Sequence, residues 1–160
     1  MGSRSNKIHL AYIAGFLDGD GSLMLQIKNR KDGKTKKRLM ATICLYQDSR
    51  HEETLSWIRD VFGIGYVSRR NDGMTELRIN GFDQIRGILK DLSPFIRFKK
   101  EQAAALYGAT DLLSGKQFKN LNRKELLQVI DYILIIQKNN YVTKRKKTKE
   151  ELMNLLDLTP

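Results

Sequence analysis

Read forward from Ile8, apolar residues recur at Leu10, Ile13, Ala14 and Leu17, the spacing of one buried helix face. A second stripe on the same helix, Ala11, Gly15 and Gly19 at i, i+4 and i+8, consists only of small residues. Glycine inside a helix costs about 0.8–1 kcal/mol against alanine, so Gly15 requires a compensating feature. Close backbone approach by another helix supplies one, because a larger side chain would hold the two axes apart. The segment ends in Gly19-Asp20-Gly21, which puts a carboxylate at the foot of that contact. A calcium loop of the EF-hand kind is excluded, since Leu23 and Asn29 stand where that loop needs glycine and glutamate.

From Ser22 to Lys28 the period changes to two. Leu23, Leu25 and Ile27 face one way and Ser22, Met24, Gln26 and Lys28 the other, which predicts a half-buried strand. Residues 29–36 predict a turn with Asp32-Gly33 at its tip. The return strand, Lys37–Gln47, buries Leu39, Ala41, Ile43 and Leu45 and turns Arg38, Met40, Thr42, Cys44 and Tyr46 outward. A helix over Glu52–Phe62, stopped by Gly63, precedes a second hairpin. Its strands are Tyr66–Arg70 and Thr75–Ile79, joined by Asn71-Asp72-Gly73, with Tyr66, Ser68, Arg70, Glu76 and Arg78 on the outer face. Helices follow over Phe82–Leu92, Lys99–Leu113 and Arg123–Asn139, and Thr148 to Glu151 has capping-box spacing ahead of a last helix. Trp57, Phe62, Phe95 and Phe98 are expected in the core. Residues 1–6 are expected to be a flexible start. The order α-β-β-α-β-β-α plus further helices predicts one α+β domain over residues 1–160, with 143–160 forming a basic loop and C-terminal helix.

Charge then changes the picture. Net charge is +11, which favours a polyanionic partner, nucleic acid first. A membrane-spanning role is excluded by pattern, since no apolar run approaches the ~20 residues required. One cysteine, Cys44, leaves no internal disulfide, and with only His9 and His51 a Cys/His zinc site lacks ligands. No signal peptide is visible, so the chain is not expected to be secreted. No small-molecule cofactor is indicated.

The outer faces of the two hairpins form a period-two row of Gln, Lys, Arg, Ser, Thr and Tyr. A two-stranded ribbon fits the major groove, where glutamine suits adenine and arginine guanine. Met40, Thr42 and Cys44 are candidates for contact with thymine methyls. Alternating polar residues are usually a solvated sheet face. Here Lys28, Arg30, Lys31, Lys34, Lys36, Lys37 and Arg38 crowd one hairpin, which favours double-stranded DNA. A carboxylate beside DNA is unfavourable unless a cation intervenes, which marks Asp20 as a metal ligand. Oxygen donors suit Mg²⁺, which keeps most of its waters and binds few carboxylates plus phosphate; Mn²⁺ is expected to substitute. One Asp20 per chain serves one strand, so a twofold pair of chains is expected, meeting along Ala11, Gly15, Asp18 and Gly19.

The nonapeptide Ile13-Ala14-Gly15-Phe16-Leu17-Asp18-Gly19-Asp20-Gly21 resembles the motif of LAGLIDADG homing endonucleases, matching it letter for letter at Ala14, Gly15, Asp18, Asp20 and Gly21. Gly63-Ile64-Gly65-Tyr66-Val67, Pro94-Phe95, Lys99 and Gln102-Ala103 recur in the same order in the family's single-motif, homodimeric group. The resemblance implies the mixed homing-endonuclease fold, with a curved antiparallel sheet saddled on DNA and extra C-terminal helices. It implies site-specific cleavage of both strands at a long pseudo-palindromic site, leaving short 3′ overhangs. It also implies the Gly19 carbonyl as a second metal ligand, Gln47 as a polar residue ordering water, and Lys99 as the basic residue near the scissile phosphate. The slot four residues after Gln47, usually Arg or Lys, holds His51, with Arg50 just before it. A loop corresponding to Lys144, Arg145, Lys146 and Lys147 touches the phosphate backbone in such enzymes. Family members are encoded in introns of chloroplasts, mitochondria and some microbes, which implies an organellar or otherwise cytoplasmic or nucleoid location. The rival reading is a non-cleaving module on the same fold, an intron-RNA maturase or a DNA-binding regulator. Loss of the motif acid would point there, and Asp20 is present.

Overall fold

Helix α1 (Ser3–Asp20) runs without a loop into strand β1 (Gly21–Asn29). Gly21 permits that joint: a Cβ there would lie 2.5 Å from a Leu17 methyl and 2.7 Å from the Leu17 carbonyl oxygen. This geometry comes from a computed structural model that describes residues 3–32 and 36–159. Residues 3–6, expected in a flexible start, belong to α1. Gly33, Lys34 and Thr35 of the expected turn lie outside the described residues.

Strand β2 (Lys37–Asp48) follows, then a 3-10 turn (Ser49–His51) and helix α2 (Glu53–Phe62). Strands β3 (Tyr66–Arg69) and β4 (Met74–Asn80) lead to helix α3 (Phe82–Leu92), helix α4 (Lys100–Leu113), helix α5 (Arg123–Asn139) and helix α6 (Lys149–Leu155). The four strands form one antiparallel sheet in the order β1-β2-β4-β3. Gly65, between α2 and β3, sits at φ 106°, where a Cβ would come within 2.9 Å of Leu77. Glycine therefore lets the chain enter β3 tight against β4.

The inward face of the sheet, with Leu23, Ile43, Leu45, Leu77 and Ile79 all essentially inaccessible, packs on Ile13, Ala14 and Leu17 of α1 and on Leu55, Ile58, Ile85 and Leu89. Burying each such leucine or isoleucine is worth about 1.5–3 kcal/mol, so the sheet register cannot slip without exposing the whole set. That fixes the opposite face as a row of polar side chains. The register places Ser22, Cys44, Arg78 and Tyr66 side by side across all four strands.

In the helical C-terminal third, polar contacts tie the end of α5 to the first turn of α4. The buried Gln102 side chain donates to the Asn139 carbonyl (2.9 Å), and Asn139 donates to Glu101 (2.9 Å). The end of α5, and the basic segment that leaves it, therefore depart from a fixed position. Capping boxes start both last helices, Asn122 with Glu125 and Thr148 with Glu151. No helix among the described residues is long and apolar enough to cross a membrane.

Candidate active site and nucleic-acid face

The end of α1 is held by its own first aspartate. Asp18 turns inward and is 9% exposed. Its carboxylate accepts from the backbone N–H of Arg97 (2.7 Å) and of Lys99 (3.0 Å). The Lys99 ammonium in turn donates to the Asp18 carbonyl (2.6 Å). Asp18, expected along the helix seam, is thus an internal clamp. Both its oxygens are used within the chain, because the loop entering α4 presents N–H groups that would otherwise be unpaired. The clamp brings Lys99 to the carbonyl end of the motif helix, one residue before Gly19 and two before Asp20. Burial pushes the Lys99 pKa below that of an ordinary lysine, partly offset by the nearby Asp18 and Asp20 carboxylates.

Asp20 itself is exposed and has no ion-pair partner among the described residues. Gly19 is exposed beside it. Gly21 pairs with Leu45, so Gln47 lies two residues past that pair, at the end of β2 that adjoins the motif. The Gln47 side-chain oxygen accepts from the Asp48 N–H (2.8 Å), which leaves its amide NH₂ as the free, donating end. Asp48 also grips Arg50 through both carboxylate oxygens (3.0 and 2.9 Å), and the pairing drops its pKa to about 2. Arg50 is therefore occupied locally. His51 is exposed and makes no side-chain hydrogen bond among the described residues.

No group of three or more His, Cys, Asp or Glu side chains converges on a metal position among the described residues. One chain offers Asp20 and the carbonyls at the end of α1. That set fits a hard cation which keeps most of its waters and takes further oxygens from phosphate. It does not fit a fully protein-enclosed site.

The other face of α1 is bare. Ala11, Gly15 and Gly19 are exposed, and a Cβ built at Gly15 or Gly19 meets nothing within 4 Å. Among the described residues nothing packs on Gly15 to compensate for glycine in mid-helix. Ile8 (64% exposed) and Tyr12 (54%) extend the same strip, and Tyr12 meets Trp57 edge-on at 5.7 Å. Phe98, expected in the core, is 84% exposed. It sits between the two N–H groups that Asp18 binds, so its backbone is fixed while its ring points away. Trp57, Phe62 and Phe95 do pack against the core. The exposed Ile8 and Tyr12 could have been read from their spacing to Gly15 and Gly19, i+7 and i+11 from Ile8 and i+3 and i+7 from Tyr12; the position of Phe98 could not.

On the sheet, Ser22, Met24, Gln26, Lys28, Met40, Tyr46, Ser68, Glu76 and Arg78 are half-exposed on the polar face, and Arg30, Arg38, Tyr66 and Arg70 are more open. Thr42 and Cys44 are on that face but fully buried, which corrects their expected role against thymine methyls. They are the short side chains of the central strand and lie below their longer neighbours. Thr42 is spent on Asn80 (2.7 Å), and burial raises the Cys44 pKa. Lys144, Arg145, Lys146 and Lys147 are all exposed, and Arg145 and Lys147 line one cleft with Met24, Gln26 and Lys28. The basic loop thus borders the polar face along β1.

Comparison with known proteins agrees with this geometry. The sequence model described as LAGLIDADG endonuclease matches residues 13–104. The DNA endonuclease I-CreI of Chlamydomonas reinhardtii is 30% identical over 98% of this chain and 94% of its own length. The DNA endonuclease I-CvuI of Chlorella vulgaris is 32% identical over 61% of each chain. The crystal structure of I-CvuI in complex with its target in the presence of 2 mM Ca superimposes with a TM-score of 0.80 at 25% identity, covering 97% of this chain and 96% of that one.

Proposed function

This chain belongs to the LAGLIDADG endonuclease family, and we propose that it is a site-specific homing endonuclease that hydrolyses both strands of a long pseudo-palindromic DNA site as a homodimer. One observation carries the reading. Asp20 stands exposed and without an ion pair among the described residues, at the tip of a clamped helix, with Lys99 delivered beside it and a basic sheet face alongside. A free carboxylate on a DNA-directed surface is unfavourable unless a cation bridges it to phosphate.

A divalent cation held by Asp20 and the Gly19 carbonyl, Mg²⁺ with Mn²⁺ as a substitute, supplies Lewis-acid charge at the phosphate when bound. The chain's own groups do the rest. The free NH₂ of Gln47 donates to water or to a phosphate oxygen and orients the attack. The Lys99 ammonium stabilises the charge that builds on the phosphoryl oxygens. Its tie to the Asp18 carbonyl keeps it from swinging to solvent, so its position is fixed before the substrate arrives. His51, rather than the occupied Arg50, is the side chain left to approach the backbone near the cut.

Each chain brings one Asp20, so cutting two strands takes two chains. The uncompensated glycine at Gly15 and the exposed strip of Ile8, Tyr12 and Gly19 support their meeting along α1.

Cleavage of a randomised-site plasmid library with Mg²⁺, by wild type and by Asp20→Asn, tests the reading. Wild type is expected to linearise one class of sequence. Asp20→Asn is expected to bind that class without cutting, and mixtures of the two proteins to nick a single strand through mixed dimers. Tight binding of DNA or structured RNA with no cutting by wild type would replace this reading with a non-cleaving module.

A further inference from the structure

The middle of the polar face holds a built arrangement. Arg78 and Glu76, two residues apart on β4, point to the same side. The Arg78 guanidinium meets Glu76 Oε1 through Nη2 (3.2 Å) and Nε (3.3 Å). Both side chains are largely covered, 27% and 14% exposed. The second Glu76 oxygen lies 3.9 Å from the Cys44 sulfur on β2. In the register Arg78 stands between Cys44 and Tyr66, and Glu76 between Tyr46 and Ser68.

A carboxylate on a face that meets phosphates repels its ligand, so Glu76 needs a role that outweighs the repulsion. Sheet stability is a weak candidate, since ion pairs near the surface contribute little. Orientation is a stronger one. Glu76 engages the Nε–Nη2 edge of the guanidinium, which leaves the Nη1 hydrogens and the outward hydrogen of Nη2 to form a fork at the tip. That fork matches guanine, whose O6 and N7 are both acceptors on the major-groove edge.

We infer that Arg78 determines specificity by reading a guanine in each half-site, and that Glu76 is the positioning residue that aims it. The inference rests on the reading of this face as DNA-binding. The register also says where the guanine lies. The row of Ser22, Cys44, Arg78 and Tyr66 is next to the Gly21–Leu45 pair at the motif, whereas Lys28 and Arg38 pair at the far end of the hairpin. Six residues along a strand span about 20 Å. The guanine therefore belongs to the inner part of the half-site, close to the bonds cut.

Selection of bound duplexes from a randomised pool, scored position by position for wild type, Arg78→Lys and Glu76→Gln, tests this. Thermal melting confirms that each variant is folded; Arg78→Lys keeps both the charge and most of the stem. Wild type is expected to prefer guanine at one inner position of each half-site by about ten- to a hundredfold. Arg78→Lys should erase that preference alone, with other positions and the salt dependence unchanged, because lysine keeps the charge and lacks the fork. Glu76→Gln should weaken the same preference while raising affinity for all sequences. A preference that survives Arg78→Lys, losses spread evenly over all positions, or a wild type that selects no sequence would overturn the inference. A wild type that selects this guanine but never cuts would uphold it and overturn the endonuclease reading instead.

Discussion

On the first hairpin, Lys28, Arg30 and Arg38 have no carboxylate partner among the described residues, and Lys37 bonds only the neutral Asn29 amide (2.7 Å). On the second, Arg69 is bound by Glu52, Arg70 by Asp72 and Arg78 by Glu76. Both hairpins are basic and both border the same site, yet their cations are suited to different work. A free cation attracts every phosphate alike and releases counterions whatever the sequence. A guanidinium already held by a carboxylate has given up part of its long-range attraction. In return its direction is set before binding, so less rotamer freedom remains to be lost. Phosphate contacts position a protein on DNA and base contacts specify the sequence; the two hairpins divide along that line.

Removing free charge should have the largest effect. With Lys28, Arg30 and Arg38 all changed to alanine, log K against log[salt] should flatten by about 0.9 per phosphate contact, nearly three in all. Affinity should fall by the same factor for every sequence. The paired substitution Arg69→Ala with Arg70→Ala should flatten it by less than one. Equal changes for the two sets, measured by fluorescence anisotropy from about 50 to 200 mM salt, would erase the distinction.

A middle-sized effect concerns how the second hairpin is anchored. Glu52 accepts from Arg69 (Nε, 2.9 Å) and from the buried Thr75 hydroxyl (2.9 Å), and Thr75 also meets Ser49 (2.8 Å). The Arg69 guanidinium and then the Thr75 hydroxyl lower the Glu52 pKa from 4.5 to about 2. A carboxyl depressed in the folded state stabilises above its unfolded value and loses that contribution as pH falls through its folded one. Glu52→Gln should therefore cost most stability at neutral pH, with the deficit shrinking from about pH 4.5 toward 2. Urea unfolding at several pH values measures it, and a deficit independent of pH would remove the clasp from the account.

How much of this could be read from the chain depended on the range of the interaction. Apart from the start of α1, which begins at Ser3 within the expected flexible segment, period and punctuation located the helices and strands within one or two residues, because they record burial of one face and local turn chemistry. Helix Phe82–Leu92 and helix Arg123–Asn139 begin and end where the pattern says. The motif gave Asp20 its place at the end of α1. What was missed involves mostly partners far apart in sequence, Asp18 with the N–H groups of Arg97 and Lys99 and Glu52 with Arg69; the Arg78–Glu76 pair is local, but alternation gives only its face and not the contact. Alternation also assigned Thr42 and Cys44 to the correct face but could not reveal that short side chains at the centre of a sheet are covered by longer ones on both flanks.

Arg70 should show the smallest effect. It is paired with Asp72 at 2.9 Å, but both are about half exposed, and its guanidinium lies 5.9 Å from the Tyr46 ring centre. An exposed ion pair and an exposed cation–π contact are each worth about 1 kcal/mol or less. Arg70→Ala should thus change stability by no more than about 2 kcal/mol. It should leave base preference intact at the position read by Arg78. This small effect separates two meanings of a held arginine. If pairing alone confers direction, Arg70 and Arg78 should matter equally for sequence. If direction needs a partner that is itself immobilised, only Arg78 should matter, because Glu76 is largely covered whereas Asp72 is open to solvent. A base-preference profile of Arg70→Ala that matches wild type would select the second meaning, and a lost preference at any position would select the first.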